Sequence, residues 1–190
     1  MTPFGNGIAL EPLADGRMRG RTVPEWTNTI GPFGGITAAA LVRAIELQPD
    51  VHGHPVAATV NYLAPIVDGD FDIQTRAVRT NRSNQHWTVE LSQDGDVKTT
   101  ATAVFGVRRD TWVDTELSAP SGPAPDEVPA TDAWIQWMSN YEMRYLTGGI
   151  PTEQDGPAES SETTMWLRDA ILRPLDFAAL RCAISSTVPI

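Results

Sequence analysis

The 190-residue chain contains one cysteine, Cys182, and three histidines. One cysteine excludes an intrachain disulfide and any cysteine-rich metal site, so Cys182 reads as a small buried apolar residue. His52 and His54 sit in a loop between Pro49 and Pro55, and His86 sits on a strand-like run. Three histidines so scattered make no metal site. Basic residues are also few, 14 against 24 acidic for a net charge of −10. A protein that tracks a phosphate backbone needs a basic footprint, so this balance argues against nucleic acid as a main partner. There is no long apolar run of the kind a membrane span needs and no charged-then-apolar leader pattern, which makes a cytoplasmic protein the expectation.

The shortage of basic residues is local. Residues 1–109 hold ten basic and eleven acidic side chains, whereas residues 110–190 hold four and thirteen. Different surfaces are implied on the two sides of a boundary near 110. Cations for a phosphate-bearing ligand would come from Arg76, Arg79, Arg82, Lys98, Arg108 and Arg109, although charges on strands are chiefly solvated faces.

What the chain has in quantity is a buried-helix pattern at residues 30–47, IGPFGGITAAALVRAIEL. Between Gly35 and Leu47 only Thr37, Arg43 and Glu46 are polar, so this helix is apolar over most of its circumference and must be wrapped. Pro32, Gly34 and Gly35 turn the chain sharply into it and leave its first N–H groups uncovered at the positive end of the helix dipole. A hairpin precedes it, residues 8–13 and 18–23 about an Asp15-Gly16 turn. Four strand-like runs follow. Residues 56–67 are largely apolar, with Pro65 confining their end to an edge or bulge. Phe71, Ile73, Thr75 and Ala77 share one face of the next run; Trp87, Val89 and Leu91 point inward on the third; Val97, Thr99, Ala101, Ala103, Phe105 and Val107 alternate on the fourth, after the tight Asp94-Gly95 turn. The expected class is α+β, one antiparallel sheet wrapped around a central helix.

Four prolines in residues 118–129 mark extended linker. Two strand-like runs at 141–146 and 162–170 then precede a helix start at Leu175-Asp176-Phe177 after Pro174, repeating the earlier order of strand, strand, helix. Trp134, Trp137, Met138 and Tyr141 fall at helical spacing and read as an apolar packing stripe.

The GPFGG turn into the Ala-rich helix, the run NYLAPIVDGD, the strands ending TATAVFG and the later WLRDAILRPLDFAAL together resemble the double-hotdog acyl-CoA thioesterases of the thioesterase II-like group. The resemblance implies a hotdog domain over residues 1–110, a linker at 111–138 and an incomplete second hotdog, two strands and a helix, over 139–190. It also implies hydrolysis of an acyl-CoA thioester by water, with no metal or other cofactor. The fragment leaves Leu175, Phe177, Leu180 and Ile184 short of cover, so a homodimer or a higher even-numbered oligomer is expected.

On this reading Phe33, Gly34, Gly35, Asn84 and Gln85 bind substrate. The Gly34 and Gly35 amides would stabilise the developing oxyanion, and Asn84 and Gln85 could orient a water without deprotonating it. No residue of the first half stands out as a base. Glu25 and His86 are as readily structural, and Asp176 at a helix start reads as an N-cap. The family's helix acid would fall near 184–186, where this chain has Ile184-Ser185-Ser186. Two other readings stay open. A hydratase or dehydratase of the same fold would want an Asp-His pair at the start of the helix, which this sequence does not have, and a non-catalytic acyl-binding or assembly protein needs no base at all.

Overall fold

In the computed structural model, which describes residues 2–116, 118, 120–149, 160–171 and 178–183, the chain divides into two units. Met1–Trp112 with Ile135–Trp137 form the first, and Val113–Trp134 with Met138–Ile190 the second.

The first unit contains two helices, α1 (Pro3–Gly7) and α2 (Gly34–Glu46), and six strands: β1 (Glu11–Pro12), β2 (Met18–Arg21), β3 (His54–Tyr62), β4 (Asp70–Thr80), β5 (Asn84–Gln93) and β6 (Asp96–Gly106). The strands form one antiparallel sheet in the order β1-β2-β4-β5-β6-β3. The hairpin expected around Asp15-Gly16 joins β1 to β2, and Asp94-Gly95, both at positive φ, joins β5 to β6. Nothing in the hydrophobic pattern pointed to α1.

Entry into α2 is set by Gly31, whose φ of +68° and whose position, with a hypothetical Cβ only 2.3 Å from the Ile66 carbonyl oxygen, admit no side chain. Phe33 N–H then donates to Trp26 O at 2.8 Å, and Phe33 is the N-cap. At the other end Gln48 Nε2 returns to Ala44 O at 2.9 Å, and Pro49 stops the helix. The buried positions of α2 are Ile36, Thr37, Ala40, Leu41, Ala44 and Ile45. They form one stripe, of which Ala40, Leu41, Ala44 and Ile45 share a core with Ile73, Trp87, Val89, Leu91, Ala101, Ala103 and Phe105 of the sheet. The expectation of burial around most of the helix is therefore corrected within this unit. The sheet covers a stripe, while Ala38, Ala39, Val42 and Arg43 are half-buried and Gly35 and Glu46 exposed.

Two buried glutamines hold the ends of β5. Gln85 Oε1 accepts from His52 N–H (2.8 Å) and Trp87 Nε1 (3.0 Å), and its Nε2 donates to Asp50 O (3.1 Å) and Thr80 Oγ1 (2.8 Å). Gln93 accepts from Val67 N–H (2.9 Å) and donates to the carbonyls of Val67 (2.9 Å) and Asp70 (3.2 Å). Each amide satisfies backbone groups of a loop that crosses an end of the sheet.

The second unit holds β7 (Tyr141–Thr147), β8 (Glu162–Asp169) and β9 (Ala178–Ala183), an antiparallel sheet in that order. The first two strands stand where the sequence placed them. The expected helix is corrected in part. Leu175, Asp176 and Phe177 lie outside the described residues, as do Ile184, Ser185 and Ser186, but Ala178–Ala183 is a strand paired along β8 from Leu167 to Glu162. A short apolar run serves a strand as well as a helix, and here its backbone groups pair along the second edge of β8. The Pro-rich stretch is attached to this sheet. Thr131 N–H donates to Met143 O (2.8 Å), Trp166 Nε1 to Pro123 O (3.0 Å), and Arg144 to the carbonyls of Pro125 and Val128. The aromatic stripe is not one helix face. Gln136–Asn140 is a 3-10 turn, Tyr141 begins β7, Met138 is buried and Trp134 is exposed.

Glu142 lies between Arg144 and Arg168, both of which donate to its carboxylate at 2.8 Å through Nε. These hydrogen bonds and the two cations hold its carboxyl below the usual carboxylate range. The stabilisation is full above that range and fades as pH falls through the lowered value, so the second unit should lose stability on acidification. Glu142→Gln should flatten this dependence, measured as the melting temperature of each variant against pH.

Candidate functional site

The start of α2 is lined by aromatic rings. Phe33 stacks on Trp137, with ring centroids 4.2 Å apart and planes 9° apart, and on Trp26 at 6.2 Å and 18°. Trp26 is anchored by its Nε1 to Pro3 O at 2.9 Å, and Trp137 N–H donates to Thr27 O at 3.2 Å. A Cβ on Gly35 would lie 2.4 Å from Phe33 Cε1, so glycine there lets the ring fold against the first turn. On the other side, Tyr62 at the end of β3 donates its hydroxyl to Gly34 O at 2.6 Å. Partial desolvation at its hydroxyl end pushes the Tyr62 phenol up, although the residue as a whole is exposed. Among the described residues, neither the Gly34 nor the Gly35 N–H has a protein acceptor.

Beside this turn is a cavity of about 390 Å³, within the ordinary range for small-molecule sites. Ile30, Pro32, Gly34 and Thr37 line one side; Tyr62, Leu63, Ala64, Pro65 and Ile66, the end of β3 and the loop after it, line the other; Thr99 of β6 also contributes. The lining side chains are apolar apart from those of Thr37, Tyr62 and Thr99. An extended apolar group can be buried here with its polar end at the helix start, where the positive end of the dipole favours an electron-rich oxygen.

The structure brings Phe33, Gly34 and Gly35 together but not Asn84 and Gln85. Those two lie at the end of β5, beside Asp50 and His52 and past the C-terminus of α2. The helix has 13 residues, so its ends are about 20 Å apart. All hydrogen-bonding atoms of the Gln85 amide are engaged within the fold, and Asn84 Oδ1 accepts from Asn81 Nδ2 at 2.7 Å across the β4–β5 turn. Neither lines the cavity. Glu25 accepts from Asn6 Nδ2 at 3.5 Å, the His52 ring lies 3.2 Å from Arg82 O, and His54 and His86 are exposed on strands. Of the candidate cations, Lys98 pairs with Asp96 at 2.6 Å and Arg79 donates to Asn81. Sequence reasoning missed Tyr62, Thr37 and Ile66 as lining residues. Their only signal was membership of the helix and of the strand with its proline-marked end, and the fold was needed to set one against the other.

Residues 23–106 match the model of the acyl-CoA thioesterase N-terminal domain. The matched stretch is a little under half of the chain. The matched segment contains every residue that lines the cavity. Among solved structures, a hot dog fold protein of unknown function from Alicyclobacillus acidocaldarius is 41% identical, with a TM-score of 0.83, covering 93% of this chain and 66% of that one. An acyl-CoA thioesterase II from Mycobacterium marinum is 18% identical, with a TM-score of 0.64, covering 87% of this chain and 60% of that one. No curated protein sequence matches the chain. The chain thus has the hotdog fold and spans a little under two thirds of the length of these relatives. Among the described residues, no group of acids, histidines and cysteines could hold a metal ion, and no helix is long and apolar enough to cross a membrane.

Proposed function

We propose that the protein hydrolyses an acyl-CoA thioester to free acid and CoA, with the thioester carbonyl seated at the start of α2. The observation that supports this most is the apolar cavity that opens onto Gly34 in a stretch that matches the acyl-CoA thioesterase N-terminal domain. The acyl group lies along Ile30, Pro32, Leu63 and Ile66. The carbonyl oxygen accepts from the Gly34 N–H and meets the positive end of the helix dipole, which supports the oxyanion formed when water attacks. A new carbon–oxygen bond forms, the carbon–sulfur bond breaks, and the proton given up by water passes to the CoA thiolate.

One observation favours a second reading. Among the described residues, Tyr62 is the only titratable one of the lining, and its proton is already held on Gly34 O. A cavity that seats an acyl thioester without a base to activate water is that of an acyl-binding protein. Incubation with a panel of acyl-CoA esters, read by thiol release and by calorimetry, separates the two. Catalysed release supports hydrolysis, binding without release supports the second reading, and absence of binding removes both.

We also propose that copies of the chain assemble as a homodimer or a higher even-numbered oligomer. The last strand of the first sheet, β3, has an outer edge that no described strand pairs with, and Val56, Tyr62, Leu63 and Val67 are exposed on it or just beyond it. Light scattering should give at least twice the chain mass of 20.6 kDa. A steady monomer across micromolar concentrations would sink the idea.

A further inference from the structure

A short piece of the stretch that leads into the second unit folds instead with the first. Ile135–Trp137 belong with Met1–Trp112, while the chain on both sides of them belongs to the other unit. Trp137 is attached there at two points. Its N–H donates to Thr27 O at 3.2 Å, and its ring lies on the Phe33 ring with centroids 4.2 Å and planes 9° apart. Between Thr27 and Phe33 runs the bend that enters α2. Thr27 and Pro32 pair across it, Asn28 N–H donates to Gly31 O at 2.8 Å, and Phe33 N–H donates to Trp26 O at 2.8 Å. Ile30 and Pro32 of this bend line the cavity, as does Gly34 just after it, whereas Trp137 does not. Trp137 therefore grips a wall of the cavity without entering it.

Phe33 has to be held by something other than a capping side chain, because as the N-cap of α2 it makes no side-chain hydrogen bond to the first turn. Its carbonyl accepts from Ile36 N–H at 3.1 Å and Thr37 N–H at 3.4 Å. That carbonyl and the Gly34 N–H are the two ends of one rigid peptide plane, so whatever fixes Phe33 also aims the Gly34 N–H. Gly34 and Gly35, without a Cβ, restrain the backbone little themselves. The stack on Trp137 is closer than the one on Trp26 and supplies that restraint. We propose that Trp137 is a positioning residue for the acyl site, its ring fixing Phe33 so that the Gly34 N–H is aimed at the thioester carbonyl before the substrate arrives. A donor set in advance loses nothing to reorganisation when charge develops on the oxygen. This rests on the acyl-thioester reading given above.

The probe is the ketone analogue of hexanoyl-CoA in which a methylene separates carbonyl from sulfur, so that it binds without being hydrolysed. Its infrared carbonyl band, picked out by isotope labelling of that carbon, falls as the hydrogen bond to the oxygen strengthens. Trp137→Leu keeps apolar bulk but not the flat face, so the band should rise while the probe's Kd changes by less than about threefold. Trp137→Phe restores a flat face and should restore the band. With hexanoyl-CoA as substrate, Trp137→Leu should lower kcat about tenfold and leave KM within about threefold. Trp134→Leu, at the neighbouring exposed tryptophan, should leave band and rate as in the wild type. Phe33→Leu breaks the same stack from its other member, should raise the band likewise, and carries the test if Trp137→Leu does not fold. A band unmoved in the folded variant, or moved equally by Trp137→Phe, overturns the inference and leaves the thioester reading standing. A rise in KM with kcat unchanged overturns it too, since Trp137 would then only shape the cavity. If the wild-type protein binds neither probe nor hexanoyl-CoA, both readings fall together.

Discussion

Gln85→Leu should lower the stability of the first unit by about 3–4 kcal/mol. Leucine matches glutamine closely in size, so the loss does not come from a cavity. It comes from four partners left behind: the His52 N–H, Trp87 Nε1, the Asp50 carbonyl and the Thr80 hydroxyl. A buried donor or acceptor without a partner costs about 1–3 kcal/mol, and the more exposed Thr80 can turn to water. Chemical denaturation gives the magnitude. Amide exchange at His52, which should become fast, gives the location. A loss below about 1 kcal/mol would mean that water replaces the amide without penalty and that Gln85 does not hold the loop.

The second large effect belongs to the helix start. Gly34→Val should fold and yet bind acyl-CoA about a hundredfold more weakly, a loss of about 2.7 kcal/mol. A Cβ at Gly34 would lie 3.1 Å from both Cζ and Oη of Tyr62, so the ring must give way and its hydrogen bond to Gly34 O is strained or lost. A β-branched side chain there also narrows the approach to the Gly34 N–H. The displaced ring is exposed, so the cost to the fold is small beside the cost to the site. Thermal melts and calorimetry on one preparation separate the two. A folded variant with unchanged affinity would move the acyl site away from this turn.

Much of the fold could be read from residue pattern because its determinants are local. Period-two alternation marked β4, β5 and β6, and Asp-Gly pairs marked two hairpins. The turn before α2 was legible from Pro32, Gly34 and Gly35, whereas Gly31, which meets the Ile66 carbonyl far along the chain, was not singled out. The site was only half legible. Phe33 meets Trp137, and Gly34 meets Tyr62, across separations that no window of sequence spans. Asn84 and Gln85 were placed with the turn because their chemistry suited water orientation, but chemistry without position is a weak guide. β5 itself carried a better clue. Gln85 and Gln93 share the inward face with Trp87, Val89 and Leu91, and a polar residue on an apolar face has a partner waiting in the fold. β9 went the other way, because AALRC has no period strong enough to separate helix from strand.

The two clamped amides also bear on how the chain avoids folding wrongly. In a strand whose inward residues alternate, a slip of one position exposes the core and is rejected at once. A slip of two is the dangerous error, because Trp87, Val89 and Leu91 would still face the helix and the hydrophobic pattern would be none the worse. Gln85 and Gln93 remove that degeneracy. Displaced by two residues, one amide would be driven into the apolar centre of the sheet while the other overshot its loop, and the backbone groups of Asp50, His52, Val67 and Asp70 would be stranded together. The core holds β5 in place, while the polar residues at its two ends give the strand a zero mark and a full-scale mark that only one alignment satisfies.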